Sequence, residues 1–544
     1  MTAGTTGAMT AIDLLWMLIC SGLVFLMQAG FMCLESGMTR SKNSINVAIK
    51  NLADFGLSVA LFWAFGFALM FGASRWGWWG QGAMFPSLNA PDQAVFFLYQ
   101  AMFCGTSTTI VSGVVAERMR FGAYLAIAAL VSGLIYPVFG HWAWNGSIHR
   151  TLEAATQSQG WLEQLGFVDF AGSTVVHSIG AWVGLAAAIT IGARRGRFPG
   201  ATGVAGSGRA VKIQGSNMPF SVLGAMLLWF GWIGFNGGSN FTLDATVPGI
   251  LLNTMLGGVA GLLVGAGLSA VIDRRVEAEP LINSTLAGLV AITASAHAVN
   301  ALLAVIIGGT GAAIALLVAR QLVYWRIDDA VDAVAVHGGA GVWGTLCVGL
   351  FGDLARLETG LGRLAQIGVQ GLGIATALVW ALGVSWLVLR SLDRFLPLRI
   401  SIEDEELGLN LSEHNAKTET YDLFQVMDRQ AETHDLSLRV PVEPFTEIGH
   451  IAARYNQVMD AFEARHHKSV EDLAEIYYVT AAIAAAIEHD TFDADNLGLE
   501  EVIDRSDEIG ALARTIGQMA DALQQRDLEL MRLTQSNLDP ETSV

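Results

Sequence analysis

Asp169-Phe-Ala-Gly-Ser-Thr-Val-Val-His177 and Asp329-Ala-Val-Asp-Ala-Val-Ala-Val-His337 share one pattern: an Asp, a run of small and β-branched residues, and a His eight positions on. A Gly- and Ala-rich segment with one Trp follows each His, holding Trp182 in the first copy and Trp343 in the second. Both stretches stand at the start of apolar runs long enough to cross a bilayer, which takes about 20 mostly apolar residues. Eleven such runs are read, centred near Gly22, Ala60, Ile110, Leu130, Gly180, Leu228, Gly258, Thr293, Ile314, Gly344 and Val379. The two marked runs are the fifth and the tenth. Each half therefore holds an odd number of spans, so the second half enters the membrane in the opposite sense. Inverted repeats of this kind place their substrate site at the interface between the halves. The predicted fold is an all-α membrane protein of eleven transmembrane helices with an inverted 5+5 repeat, followed by a cytoplasmic helical tail.

Composition agrees. Of 544 residues, 53% are apolar, more than a soluble chain of this size carries. The 61 glycines lie mostly within the spans, where small residues let helices approach closely in lipid. Residues 1–15 hold no Lys or Arg, and the first apolar run is too long for a signal peptide. Cys20, Cys33, Cys104 and Cys347 lie in or beside apolar runs with no CxxC spacing. They read as buried small hydrophobes rather than a disulfide or metal framework. Loops after the odd-numbered spans carry 17 Lys and Arg, and those on the other side carry 4. By the positive-inside rule the N-terminus is outside and the tail cytoplasmic, in a multi-pass protein of the cell (inner) membrane. The net charge of −18 is uneven: residues 1–400 sum to +3 and residues 401–544 to −21. The acidity belongs to the tail, and no basic patch suits nucleic acid.

Ionisable groups inside a membrane are costly and usually functional. Two histidines at matching repeat positions point to a shared site more than a lone His would. A neutral imidazole offers one donor and one acceptor nitrogen, so a pair can bond to each other and still offer groups to a small polar solute. The alternative is a pair of satisfied core histidines. A zinc site would need three or four ligands, and the Asp partners stand about two helical turns away, so no metal or other cofactor is expected.

At these residues the chain resembles the ammonium transporter (Amt/Mep/Rh) family. The Asp169–His177 segment resembles a signature of that family. So do Ile110-Val-Ser-Gly-Val-Val-Ala-Glu-Arg118, Ser216-Asn-Met-Pro-Phe220, Gly231-Trp-Ile-Gly-Phe-Asn-Gly-Gly-Ser239 and Asp328-Asp-Ala-Val-Asp-Ala-Val-Ala-Val-His-Gly338. The resemblance covers about residues 10–415. It implies a homotrimer with one pore per subunit, a channel or transporter for ammonium or ammonia and not an enzyme. It makes His177 and His337 the paired pore histidines, Phe103 and Phe235 a stacked gate, and Trp144 and Ser239 an outer ammonium-binding site. Asp169 becomes a structural or electrostatic carboxylate below that site. A Trp face attracts a cation by about 0.5–2 kcal/mol, and a Ser hydroxyl accepts a hydrogen bond from ammonium. An apolar pore excludes any bare ion. Ammonium can shed a proton and continue as ammonia; potassium cannot. Read alone, the two phenylalanines would be core packing, Trp144 would be an interface Trp, and Trp142 is a local alternative to it. The loop of about residues 146–167 reads as an insertion at the outer mouth.

After Arg399 the text changes. Leu407-Gly-Leu-Asn-Leu-Ser-Glu-His414 resembles the family's cytoplasmic motif, with Asn410 where Asp is usual and Asn415-Ala416 where Gly-Glu is usual. Further on, Glu447–Phe462 aligns with Glu508–Leu523. Ile448, Ile451, Tyr455, Val458 and Phe462 step 3,4,3,4, and Ile509, Leu512, Ile516, Met519 and Leu523 repeat the steps. That is a heptad seam. With an apolar helix at about Val470–Ile487, it resembles the HAMP linker of bacterial receptors. The expected domains are 1–400 in the membrane, a coupler at 401–420, HAMP-like segments at 421–465 and 466–530, and a disordered end at 531–544. An oligomerising coiled coil is the plainer reading of the seam. The rival functions are an ammonium channel with a regulatory tail, an ammonium sensor addressing a cytoplasmic signalling partner, and a non-transporting structural protein.

Overall fold

The computed structural model describes residues 9–147, 159–199, 210–272, 274–418, 420–488 and 499–536, and the chain divides after Lys417 into two compact units. The first unit is built from α1 (Ala11–Met38), α2 (Ser41–Phe71), α3 (Pro91–Val115), α4 (Phe121–Trp144), α5 (Ser173–Ile191), α6 (Met218–Gly238), α7 (Val247–Ile272), α8 (Ala278–Thr293), α9 (Ala301–Tyr324), α10 (Val334–Phe351) and α11 (Arg363–Leu392). Among the described residues, ten of these are long and apolar enough to cross a membrane. The exception is α8, with 16 residues. Its position departs from the predicted centre near Thr293, which is where the helix ends. The apolar text runs on to Val299, but those residues form a turn. Asn253 Nδ2 donates to the Ala296 and Val299 carbonyls at 2.9 Å each, and Asn300 caps α9 by accepting from the Leu303 N–H at 3.0 Å. The third span is also displaced. It runs Pro91–Val115, so its middle lies before Ile110, and Thr106, Ser107, Thr108, Thr109 and Ser112 in its second half are fully buried. A small antiparallel hairpin, β1 (Ala73–Arg75) and β2 (Trp79–Gln81), joins α2 to α3 and was not predicted.

The leading helices of the two halves, α1 and α6, pack against each other through glycines. A Cβ on Gly224 would fall 2.4 Å from the Leu34 backbone nitrogen, and one on Gly30 would fall 2.8 Å from Leu228 Cγ. Backbone approach of this kind replaces the hydrophobic drive that lipid removes. Helices α5 and α10 meet in the same way, with a Cβ on Gly341 landing 2.5 Å from the Ser173 carbonyl. The two histidine-bearing helices thus lie at the interface of the repeat.

After α11 two short helices, α12 (Ile402–Leu407) and α13 (Leu409–His414), fold back on the start of α2. Asn410 Oδ1 accepts from the Asn46 N–H at 2.9 Å, while its Nδ2 donates to the Ser41 carbonyl at 2.8 Å. The amide serves as donor and acceptor at once; an aspartate would leave Ser41 without this donor. Lys42 Nζ donates to the Glu405 and Glu406 carbonyls at 2.7 and 2.6 Å.

The second unit contains α14 (Tyr421–Thr433), α15 (Glu447–Glu488) and α16 (Glu508–Ser536). Leu423 of α14, Val440 of the connector and Ala452 of α15 form one small core. Ile476 and Val479 of α15 form another with Leu499, Val502, Ala513 and Ile516. The helix expected at Val470–Ile487 is not separate: α15 runs through residue 465 for 42 residues. Glu463 to Ser469 hold no Gly or Pro to stop it. Helix α16 continues to Ser536, into the segment read as the disordered end; residues 537–544 lie outside the described residues. Ile451, Val458, Phe462, Leu512 and Met519 of the seams are exposed, so only part of each stripe is covered within one chain.

Candidate functional site

The site is built on two capped helix starts. Asp169 Oδ1 accepts from the Gly172 and Ser173 N–H groups at 3.0 and 2.9 Å, and Oδ2 from Thr174 and Val175 at 2.8 Å each. Reaching four successive donors requires Gly172 at φ +111°, a conformation other residues rarely adopt. The turn so held, Ser173–Ser178, is π-helical and carries His177. In the second half, Asp329 Oδ2 accepts from the Val334 N–H at 2.6 Å, and the turn Val334–Gly339 is again π-helical and carries His337. The eight-residue spacing is therefore a cap followed by a widened turn. Such turns recur at functional sites.

The two turns bring the histidines together across 160 residues. Their Nδ1 atoms are 3.1 Å apart, with ring planes at 17°. One Nδ1 donates and the other accepts, so a single proton lies between them. Trp232 stacks on His177 at 5.3 Å, and His177 Nε2 is buried without a partner among the described residues. Above them the Phe103 and Phe235 rings stack at 4.1 Å and 19°, both buried. Phe235 also contacts His177 at 5.4 Å.

Outside this stack opens a vestibule of about 720 Å³ whose wall includes Phe103, Trp144, Asp169 and Ser239. Trp144 meets Phe103 edge-on at 6.0 Å, and its Nε1 donates to the Asp169 carbonyl at 2.6 Å. Ser239 Oγ donates to the Phe235 carbonyl at 2.8 Å, which leaves the oxygen able to accept from a solute. All seven residues singled out from sequence are thus joined by one run of contacts. Trp142 does not. It is buried among Trp78, Trp161 and Trp380, with its Nε1 donating to the Trp78 carbonyl at 2.7 Å. Within the expected mouth loop, residues 148–158 lie outside the described residues. Glu163, Asp244 and Glu358 face the vestibule along with Arg356. Sequence reading missed these, Tyr99 beside Ser239 (3.2 Å), and Trp232, because no local spacing marks them.

At the other mouth a buried ion network ties the loops together. Glu117 pairs with Arg40 and with Arg194, the latter at 3.2 Å, and Arg194 pairs with Asp328 at 2.8 Å. Burial alone would raise the Asp328 carboxyl, but the Arg194 hydrogen bonds and the Arg118 charge outweigh it and hold the group well below the usual carboxylate range. Among the described residues no cluster of three or more His, Cys, Asp or Glu could hold a metal. All four cysteines are free and buried.

Comparison with known proteins adds relatives to this geometry. The model of the Ammonium Transporter Family matches residues 15–419, and that of the HAMP domain matches residues 481–525. A Synechocystis sp. protein named for ammonium transport is 66% identical over 528 residues, covering 97% of this chain and 96% of that one. The ammonium transporter Amt2 of Archaeoglobus fulgidus is 38% identical over 422 residues, 74% of this chain and 87% of its own. A solved structure titled "Sensor Amt Protein" superposes with a TM-score of 0.70 at 39% identity, covering 74% of this chain and 98% of that one. The chain is thus a multi-pass membrane protein with a helical, HAMP-bearing tail, and it belongs to the ammonium transporter family.

Proposed function

We propose that this protein conducts ammonium across the cell's inner membrane as ammonia, recruiting the ion at Trp144 and Ser239 and passing it through the Phe103–Phe235 gate to the His177–His337 pair. The observation that carries the reading is the histidine pair, 3.1 Å apart directly behind a stacked aromatic gate. A desolvated unpaired cation costs far more than the outer site returns. Only a solute that can be separated from its proton, the two continuing apart, gets past such a gate. The paired imidazoles then offer hydrogen bonds to ammonia, and His177 Nε2, which has no partner among the described residues, receives it. The N-terminus is outside and the tail cytoplasmic, in line with the charge of the loops. Three copies form the working unit, as the family resemblance implies.

A second reading is favoured by a specific observation: the HAMP match at 481–525 and the exposed half of each heptad stripe. In that reading the pore fold senses ammonium, conducts little, and addresses a cytoplasmic partner through the tail. An ammonium jump on proteoliposomes fused to a solid support separates the two. Charge movement with saturable ammonium dependence supports conduction. Ammonium binding by calorimetry with neither current nor lumenal alkalinisation supports sensing.

A further inference from the structure

Inward of the histidine pair a second buried ionisable side chain faces the path. Glu35, near the end of α1, is 2% exposed. Lys50, the cation whose charge reaches it, donates instead to the Met119 carbonyl at 3.1 Å. Asn51 Nδ2 donates to Glu35 Oε2 at 2.9 Å, while Asn51 Oδ1 is buried without a partner among the described residues. A buried carboxyl without a paired cation is costly, and in a membrane such groups mark ion and proton paths.

The path is visible. A small cavity of about 10 Å³, room for the centre of one water molecule, has His337 and Glu35 in its wall with Phe31, Ile110, Val336 and Asn283. Asn283 Nδ2 donates onward to Asp332 Oδ2 at 3.1 Å, and Asp332 is only half-buried. A chain of polar groups thus leaves the histidine pair toward the inner face. Nothing in the mechanism above uses it.

We propose that Glu35 is the proton acceptor of the inner half of the pore, a role that rests on the conduction reading. An N–H bond of ammonium breaks with its electron pair staying on nitrogen, which continues as ammonia. The proton passes through the His337 imidazole or a water in the shared cavity and forms an O–H bond on the Glu35 carboxylate. Glu35 then releases it by way of Asp332 to water at the inner face and is a carboxylate again. Net transfer is one ammonia and one proton, so charge moves with each solute. The other titratable groups whose charge reaches Glu35 are Lys50 and Asp54 of α2 and Tyr124 of α4, with His337 across the cavity.

The test is Glu35→Gln, which keeps shape and hydrogen bonding but cannot cycle a proton. In liposomes, ammonium-evoked current and lumenal pH are read together, since ammonia entering alone alkalinises the lumen and ammonia with a proton does not. The expected result is a fall in current of about a hundred-fold or more, the lower edge of what a positioned proton-transfer group supplies. Lumenal alkalinisation, which the wild type does not produce beyond that of protein-free liposomes, appears. Wild-type current in Glu35→Gln overturns the proposal. So does loss of current with no alkalinisation appearing, which would make Glu35 a residue of pore shape. If the wild type shows neither signal, the conduction reading itself fails and takes this proposal with it. Should Glu35→Gln fail to elute as the wild type does, Asp332→Asn reads the same route, and unchanged current there overturns it.

Discussion

Replacing Asp169 separates two roles that its place below the outer site allows. If the carboxylate serves as a cap, its work is the four N–H bonds it accepts between 2.8 and 3.0 Å. An ordinary cap is worth about 0.5–2 kcal/mol, but those donors are mostly exposed to water when uncapped. Here the residue is 3% exposed, and each donor left unsatisfied costs about 1–3 kcal/mol. The costs are not additive, because the donors share one turn, so Asp169→Ala is expected to lose about 3–5 kcal/mol. Asp169→Asn keeps the oxygen that serves Gly172 and Ser173 and turns an NH₂ toward Thr174 and Val175, for a loss of about half that. Tryptophan fluorescence during thermal unfolding in detergent should rank wild type above Asn and Asn above Ala. Midpoints are compared at one scan rate because membrane-protein unfolding is seldom reversible. Since Trp144 Nε1 rests on the Asp169 carbonyl, recruitment should weaken in the same order. An Asn variant with wild-type thermal stability but impaired ammonium response would refute the cap argument and make the carboxylate an electrostatic element.

Trp144→Leu should shift half-saturation of the ammonium response by about five- to thirty-fold, the equivalent of about 1–2 kcal/mol of cation–π attraction; an unchanged concentration dependence would remove the aromatic from the outer site. Asp328→Asn should lower thermal stability most at neutral pH. The folded carboxyl is held below its ordinary value, so its stabilisation is complete above the unfolded pKa of about 3.9 and is lost as pH falls below it. The gap to wild type should thus be flat from about pH 8 to 5 and narrow below about 4, and a gap that widens on acidification would refute the pairing. Ammonium, but not sodium, should change hydrogen exchange in α15 and α16 if the tail reads the pore, because a ligand shifts only equilibria between states it binds differently. Indifference at saturating ammonium would make the tail an assembly device.

Much of this was legible in the chain because lipid leaves few options. Long apolar runs must be helices, and the loop charges give them a direction. The doubled Asp-to-His spacing survived translation into structure because each copy is a local event, a cap and one widened turn. What local text could not show was contact across the repeat. Phe103 and Phe235 are 132 positions apart, and no spacing announces that they stack. Trp232 on His177 and Glu35 beside His337 were missed for the same reason. The break after Thr293 was hidden because Ala294 to Val299 holds no Gly or Pro to mark it. Its cause is Asn253, on another helix, drawing off two carbonyls. In the tail the seam was readable, but its continuity through residue 465 was not, since two segments were read where one unbroken helix runs.

The most direct test of the account is ion flux through purified protein in liposomes, comparing wild type with His177→Leu and His337→Leu in ammonium and in potassium. The account predicts that wild type passes ammonium and excludes potassium, and that each leucine variant, folded and eluting as wild type, loses ammonium flux or admits potassium. Wild-type ammonium flux and potassium exclusion in both variants would contradict it.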